Sequence, residues 1–436
     1  MRKTQHIEID SIPQFKKQLI EWGRDEENFI LLDSNEYSLK APNKTDYEYD
    51  FLAAFGCLKT FQGNERNGFQ QLSEFLEKTD DWVMGYLSYD LKNGIEDIYS
   101  GNLDRLDFPA ICFFQPEYVI FSKNESIKVQ TLPEITPDNK ISETINSIKD
   151  ISTDILKSDS LEPIHIKSRF SKDEYLRIIE KLKKHIKRGD VYEISFCQEF
   201  YADALIDPYY TYKKLAEISP APFACFYKNK DRYLISSSPE RFMRKKGNRV
   251  ISQPIKGTRK RGGNPLEDEA LKTELYNDRK ERAENVMIVD LVRNDLSKTA
   301  LMNSVEVDEL YGIYSFEQVH QMISTVSCRI EESKYLECIR NSFPMGSMTG
   351  APKVRAMELI EEYEKTKRGL YSGAVGYISP EKNFDFNVVI RSILYNSSEN
   401  YVSYSVGGAI TYLSEPMQEY EECLIKASAM KQVLNS

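Results

Sequence analysis

Short apolar runs broken by turns rich in Gly, Asn and Asp dominate the first part of the chain, and runs at 29–32, 110–114 and 118–121 predict strands there. Further runs at 192–196, 223–227, 233–236, 374–378 and 386–390 predict strands later on. One helix is written out in full. Ser171 and Glu174 form an S-x-x-E capping box, Leu176, Ile179, Leu182 and Ile186 recur at helical spacing, and Gly189 stops it. Helical spacing predicts helices at about 267–289, 352–364 and 416–433, with Pro352 suited to a first turn. Strands interleave irregularly with helices and no βαβ repeat emerges, which favours α+β over a doubly wound sheet.

The pattern divides into three zones: an N-terminal region (1–128), a connector (129–162) and a region carrying the candidate chemistry (163–436). The connector is rich in Lys, Asp, Ser and Thr, and its Ile and Leu spacing allows one exposed helix around 141–156. Hydrophobic residues are 41% and charged residues 29% of the 436, the balance of a folded soluble protein. A net charge of −10 argues against a nucleic-acid partner. No run approaches the ~18 apolar residues of a membrane span, and no signal-peptide core opens the chain, so a cytoplasmic protein is expected. Seven scattered cysteines with no CxxC pair support neither a disulfide framework nor a zinc site.

Glu281 and Glu284 lie three apart on a predicted helix and share a face, and Glu419 and Glu422 repeat that spacing. Brought together, the two faces would offer oxygens suited to magnesium; kept apart, they are solvated surfaces, with Glu422 paired to Lys426. Lys256 ends an apolar run and is followed by Gly257 and a basic stretch. Cationic neighbours or burial that depress its pKa would make it a nucleophilic amine; otherwise the segment is a basic loop. The small-residue loop 346–352 runs into a helix with Lys353 in its first turn, and could receive a carboxylate on its N–H groups or be an ordinary capped turn. Arg391 follows an apolar run, where a guanidinium either grips an anion bidentately or sits at an exposed edge. His320 is embedded among apolar residues, as a core histidine or a catalyst.

In order along 165–433 stand SSSPERF, PIKGTRKRG, ERAENVMIVDLVRNDL, VHQMIS, FPMGSMTGAPKVRAME, YSGAVGY, FNVVIRS and VGGAI. Together they resemble the chorismate-utilising enzymes, a family containing anthranilate synthase component I, aminodeoxychorismate synthase component I, isochorismate synthase and salicylate synthase. The resemblance implies an α+β fold of antiparallel β-sheets packed face to face with outer helices, the N-terminal region joining the same body. It implies chorismate as substrate and Mg2+ held by Glu281, Glu284 and Glu422, with Glu419 beside them. Arg391 and Tyr371 would hold the enolpyruvyl carboxylate, Gly407 would donate a backbone N–H, Ser347 would line the pocket, and His320 would stand near the ring.

Lys256 resembles the aminodeoxychorismate branch, which carries PIKGT where anthranilate synthases carry PIAGT. In that branch the lysine attacks ring carbon C2 as the C4 hydroxyl leaves, and ammonia then attacks C4. Glu240 would be the acid that protonates the departing hydroxyl. Glu193 stands where isochorismate and salicylate synthases place a lysine base, which disfavours water addition. Leu32, Asp33 and Ser34 resemble part of the tryptophan site of the two amino-transferring branches, or form an edge strand and turn. No Gly-x-Cys-x-Gly nucleophile turn occurs, so nitrogen is expected from free ammonia or from a separate glutamine amidotransferase subunit. The rival readings are anthranilate synthase component I and a chorismate- or tryptophan-binding regulatory protein.

Overall fold

The computed structural model describes residues 1–37, 47–153 and 164–435. Two long strands, Phe51–Gly63 and Ile111–Lys123, run antiparallel and organise the fold. They bend midway. The register shifts between Cys57 and Lys59, Gly56 takes φ +67°, and Pro116 lies opposite Cys57. The runs expected as separate strands at 110–114 and 118–121 are therefore one bent strand, with the proline placed at the irregularity where a ladder tolerates its missing N–H.

The bend lets each half of the ribbon enter a different sheet. From one half, pairing passes through Asn28–Asp33, Phe223–Asn229, Arg232–Ser238, Ser392–Asn396 and Tyr401–Ile410 to Glu193–Asp203. From the other it passes through Val83–Leu87, Ala374–Ile378, Phe384–Val388, Arg241–Lys246 and Arg249–Ser252 to Val319–Arg329. That last strand is flanked by Ile255–Lys260 and Glu306–Ser315. All these pairings are antiparallel.

Period-two alternation separates the two faces of the first sheet. Ile30 points into the core shared with Val83, Met243 and Phe386 of the second sheet. Its neighbours Phe29 and Leu31 point the other way, onto Leu19, Ile179 and Met430 of helices Ile12–Trp22, Lys172–Arg188 and Pro416–Leu434. The architecture is the expected α+β one, antiparallel sheets face to face with helices outside.

Strands from the first 128 residues pair directly with strands beyond position 163, as Asn28–Asp33 does with Phe223–Asn229 and Val83–Leu87 with Ala374–Ile378. The strand Ser126–Thr131 crosses position 128, and the helix that follows, Asp138–Lys149, is not an exposed one: Ile141, Ile145 and Ile148 are buried in the helix-covered core. The part of the expected 141–156 helix beyond Thr153 lies outside the described residues.

Lys172–Arg188 carries the capping box read from Ser171 and Glu174, and Gly189 ends it at φ +90°. The helix expected at 267–289 is two, Pro265–Asn277 and Arg279–Ser297. Asp278 breaks it, adopting an extended conformation and accepting bonds from the N–H groups of Lys280 and Glu281. Pro352 caps Lys353–Tyr363 instead of sitting in its first turn. No helix among the described residues is long and apolar enough to cross a membrane.

Candidate active site

A cavity of about 820 Å3 opens between the end of Tyr401–Ile410, the strand Ile255–Lys260 and the helices Arg279–Ser297 and Pro416–Leu434. Its size is that of a small-molecule site. Lys256, Glu240, Arg391, Tyr371, Gly407, Ser347, Glu281, Glu284, Glu419 and Glu422 all line it. These residues are scattered along the chain from Glu240 to Glu422, and the fold collects them.

Local backbone features aim several of them. Ile255 pairs with Ile323 and Thr258 with Gln321, so Lys256 and Gly257 sit in a bulge, two residues of one strand facing one, Met322, on the other. Gly257 takes φ +90°, a conformation that disfavours any Cβ, and a Cβ there would meet Glu281 Oε2 at 3.2 Å. The bulge thus turns Lys256 inward and leaves space for Glu281 behind it. Arg391 takes φ +51°, between the strands Phe384–Val388 and Ser392–Asn396, and its carbonyl accepts from the Ser237 N–H at 3.1 Å. At Gly407 a Cβ would lie 2.1 Å from the Phe196 carbonyl oxygen, so the close approach of the two strands requires glycine.

The charges fall into two groups. Lys256 Nζ donates to Glu193 Oε1 at 2.5 Å, with the Glu193 side chain buried and that of Lys256 mostly so. Burial alone would push the Lys256 ammonium down, but Glu193 and Glu284 outweigh it and hold it above the ordinary lysine value. The cationic neighbours expected to depress it turn elsewhere: Arg259 bonds Asp278, Glu274 and Glu281, and Arg261 bonds Asp268. Across the site, burial pushes the Glu240 carboxyl up to about 7 against a 2.7 Å hydrogen bond from Ser347 Oγ.

The second group is the carboxylates. Burial pushes Glu284 up to about 7, although Lys256 draws it down. Burial likewise raises Glu419, whereas Lys426, 2.6 Å from Glu422, outweighs burial and lowers that one. A Cβ on Gly408 would lie 3.2 Å from Glu419 Oε2 and 3.9 Å from Glu422 Oε1, so backbone and both carboxylates meet. Hard oxygen donors from two helices facing one cavity fit a magnesium ion chemically. Among the described residues, however, their oxygens are not gathered into a ready cluster of three, and Arg259, Lys280 and Lys426 lie against them.

Arg391 is half-buried in the cavity wall and has no ion-pair partner among the described residues, and desolvation lowers its pKa. An unpaired guanidinium beside Tyr371 is a ready receptor for a carboxylate. Linked to Tyr371 through Cys197 is a buried ion pair that no sequence motif marks. Arg368 and Glu364 pair at 2.7 Å; Arg368 donates to the carbonyls of Met348 and Ser195, and Glu364 accepts from the Cys197 N–H. Cys197 Sγ in turn lies 3.3 Å from the Tyr371 hydroxyl. The pair sets three cavity-lining residues at once.

Two expectations are not met by the placement. His320 does not reach the cavity. It is fully buried, with Nδ1 2.9 Å from Ser315 Oγ and Nε2 2.9 Å from Asp268. Its strand neighbours Val319 and Gln321 line the cavity, so alternation sends His320 to the other face. Lys353 is likewise not at a site: it is tied to Asp295 and to the carbonyls of Ser342 and Pro344. Leu32, Asp33 and Ser34 line a separate cavity of about 60 Å3 with Tyr49, Phe223 and Tyr377, where Asp33 is paired with Lys16 at 2.8 Å. As the side chains stand, that volume holds a few waters.

A profile of chorismate binding enzymes matches residues 21–432, and the chain belongs to that family. It is 42% identical to an aminodeoxychorismate synthase of Streptomyces griseus over 62% of this chain, but spans only 38% of that relative's length. It is 35% identical to aminodeoxychorismate synthase component 1 of Bacillus subtilis, covering 81% of this chain and 76% of the relative. Among solved structures, anthranilate synthase component I of Streptococcus pneumoniae superimposes with a TM-score of 0.78 at 25% identity, over 89% of this chain and 93% of that one.

Proposed function

We propose that this chain aminates chorismate at ring carbon C4, giving 4-amino-4-deoxychorismate, with Lys256 as a covalent nucleophile. The observation that carries the reading is Lys256 itself, bulged into the cavity between two buried carboxyls, Glu193 and Glu240. A protein that only binds chorismate has no use for such an amine. The similarity to aminodeoxychorismate synthases of Streptomyces griseus and Bacillus subtilis supports the same choice within the family.

Arg391 and Tyr371 grip the enolpyruvyl carboxylate, with the Gly407 backbone beside them. Glu281, Glu284 and Glu422, with Glu419 beside them, would hold Mg2+, which when bound would neutralise the ring carboxylate. Lys256 attacks C2, the two ring double bonds each shift by one position, and the C4–O bond breaks. Glu240, protonated near neutral pH, donates its proton to the departing hydroxyl, which leaves as water. Ammonia then attacks C4, the double bonds shift back, and Lys256 leaves from C2. The occupied C2 keeps ammonia off that carbon. His320 takes no part in the chemistry; through Asp268, which also bonds Arg261 and the Gly262 N–H, it braces the end of the Lys256 strand. A separate glutamine amidotransferase subunit supplies ammonia, and ammonium salts substitute for it.

Lys256→Ala tests the reading. Chorismate consumption with magnesium and ammonium should fall at least tenfold, and the intact-mass adduct that wild type forms with chorismate should be missing. Removing Lys256 strands Glu193, which costs about 3–5 kcal/mol for a broken buried pair, so a melting curve must accompany the assay. Undiminished turnover by the folded variant would remove Lys256 from the mechanism.

A further inference from the structure

Lys256 needs its lone pair to attack, yet its surroundings hold it as an ammonium. Loss of the proton to bulk water is therefore disfavoured at neutral pH, and the question is what takes it. Among the described residues its one hydrogen-bonding partner is Glu193, at 2.5 Å. Glu193 is the first residue of Glu193–Asp203, and its backbone is fixed by pairing with Gly350–Ala351. A Cβ on Gly350 would lie 2.2 Å from the Glu193 carbonyl oxygen, so this contact is built on a glycine. The Glu193 side chain is 3% exposed, and its second oxygen is buried without any hydrogen-bond partner. Among the described residues, only Lys256 bonds this carboxylate.

We propose that Glu193 is the proton acceptor that converts Lys256 into its neutral, nucleophilic form; this rests on the amination reading above. Transfer across the contact turns a buried ion pair into a neutral acid–amine pair, removing both charges from a poorly solvated place without help from solvent. The two carboxyls beside Lys256 then divide the work: Glu240 gives a proton and Glu193 takes one.

The balance closes. Glu193 takes one proton from the ammonium; the Lys256 lone pair forms the N–C2 bond as the C4–O bond breaks, and the hydroxyl leaves with its electron pair and the Glu240 proton, as water. The lysine nitrogen is then a cationic secondary amine. Ammonia forms the N–C4 bond, the C2–N pair returns to lysine as a neutral amine, and the new C4 ammonium returns one proton to Glu240. Lys256 recovers its own proton from Glu193. The net change is chorismate plus ammonia to aminated product plus water.

The groups facing Lys256 are Glu193, Glu284 and Glu240, so a pH experiment must separate Glu193 from the other two. Turnover of wild type, Glu193→Gln and Glu193→Asp is measured with magnesium from pH 6.5 to 9 at a fixed concentration of free NH3. Glu240 and Glu284 are present in all three proteins, and Glu193→Asp keeps the charge that raises Glu284, so the difference between the two variants' ratios isolates the carboxylate at position 193. For Glu193→Gln the ratio should be at least tenfold at pH 7 and shrink as pH rises, since hydroxide then removes the lysine proton instead. For Glu193→Asp, which keeps a carboxylate, the ratio should stay flat. A Glu193→Gln ratio independent of pH would mark a structural residue. A Glu193→Gln enzyme as fast as wild type would mean that Glu193 only restrains the amine. Either result overturns the proposal while leaving C4 amination standing. Melting curves and chorismate titration identify a folding or binding defect, and a defect that accounts for the whole rate loss counts against the proposal. Mass analysis of the wild-type product is the separate check on the amination reading: a product other than the C4 amine overturns that reading, and the role of Glu193 with it.

Discussion

Glu240 shows how one residue's function sets its stability. Its carboxyl is buried and pushed up to about 7 from an ordinary 4.5. As the proton donor it must be protonated, so turnover at fixed NH3 should fall as pH rises through about 7. Glu240→Gln should lose that pH limb along with ~10²–10⁴-fold in rate, the scale of a general acid. The same shift acts on folding. The native state binds this proton more tightly than the unfolded chain, so the contribution to stability is full below about 4.5 and is lost as pH rises to about 7. Above that range Glu240→Gln should melt higher than wild type, by an amount on the order of 2–3 kcal/mol. Thermal melts at pH 5 and pH 8 check this, and equal differences at the two values would contradict it.

Among the elements, the junction at Asp278 connects local capping to the site. Its side chain caps Arg279–Ser297 and also bonds Arg259, which reaches Glu281 one turn along. Asp278→Ala should cost about 0.5–2 kcal/mol in a denaturant melt, as lost helix caps do. It should also raise the chorismate KM, because Glu281 loses its fixed start of helix. An unchanged KM would confine Asp278 to capping. Sequence patterning merged the two helices because apolar spacing runs across the break, although Asp278 followed by Glu281 spells a capping signal inside that run. The helix Lys172–Arg188 was legible for the converse reason: its start and stop signals coincide with the ends of its apolar stripe. An apolar setting does not tell a core histidine from one in a pocket; the alternation of His320 with Val319 and Gln321 along their strand does.

On the scale of the molecule, the site is assembled by long-range pairing that no local pattern encodes. Glu193 meets Lys256 across 63 positions, and nothing local to either residue marks the other as its partner. The carboxylate and lysine motifs could be read in order along the chain, but not which of their side chains share a wall. The two ends of the chain also share sheets. A fragment spanning 164–435 would expose the edges of Phe223–Asn229 and Ala374–Ile378 that Asn28–Asp33 and Val83–Leu87 now cover. It should therefore fail to give a cooperative melt, as judged by circular dichroism and proteolysis. A sharp transition in that fragment would show that the second part folds alone.

Amination of chorismate at C4 is distinguished from amination at C2 by where the new nitrogen sits. The purified chain, incubated with chorismate, magnesium and 15N-ammonium, should give a product that retains its enolpyruvyl group and carries 15N on C4, read by mass spectrometry and NMR. A fluorescent aromatic amine with nitrogen on C2 and stoichiometric pyruvate would contradict it.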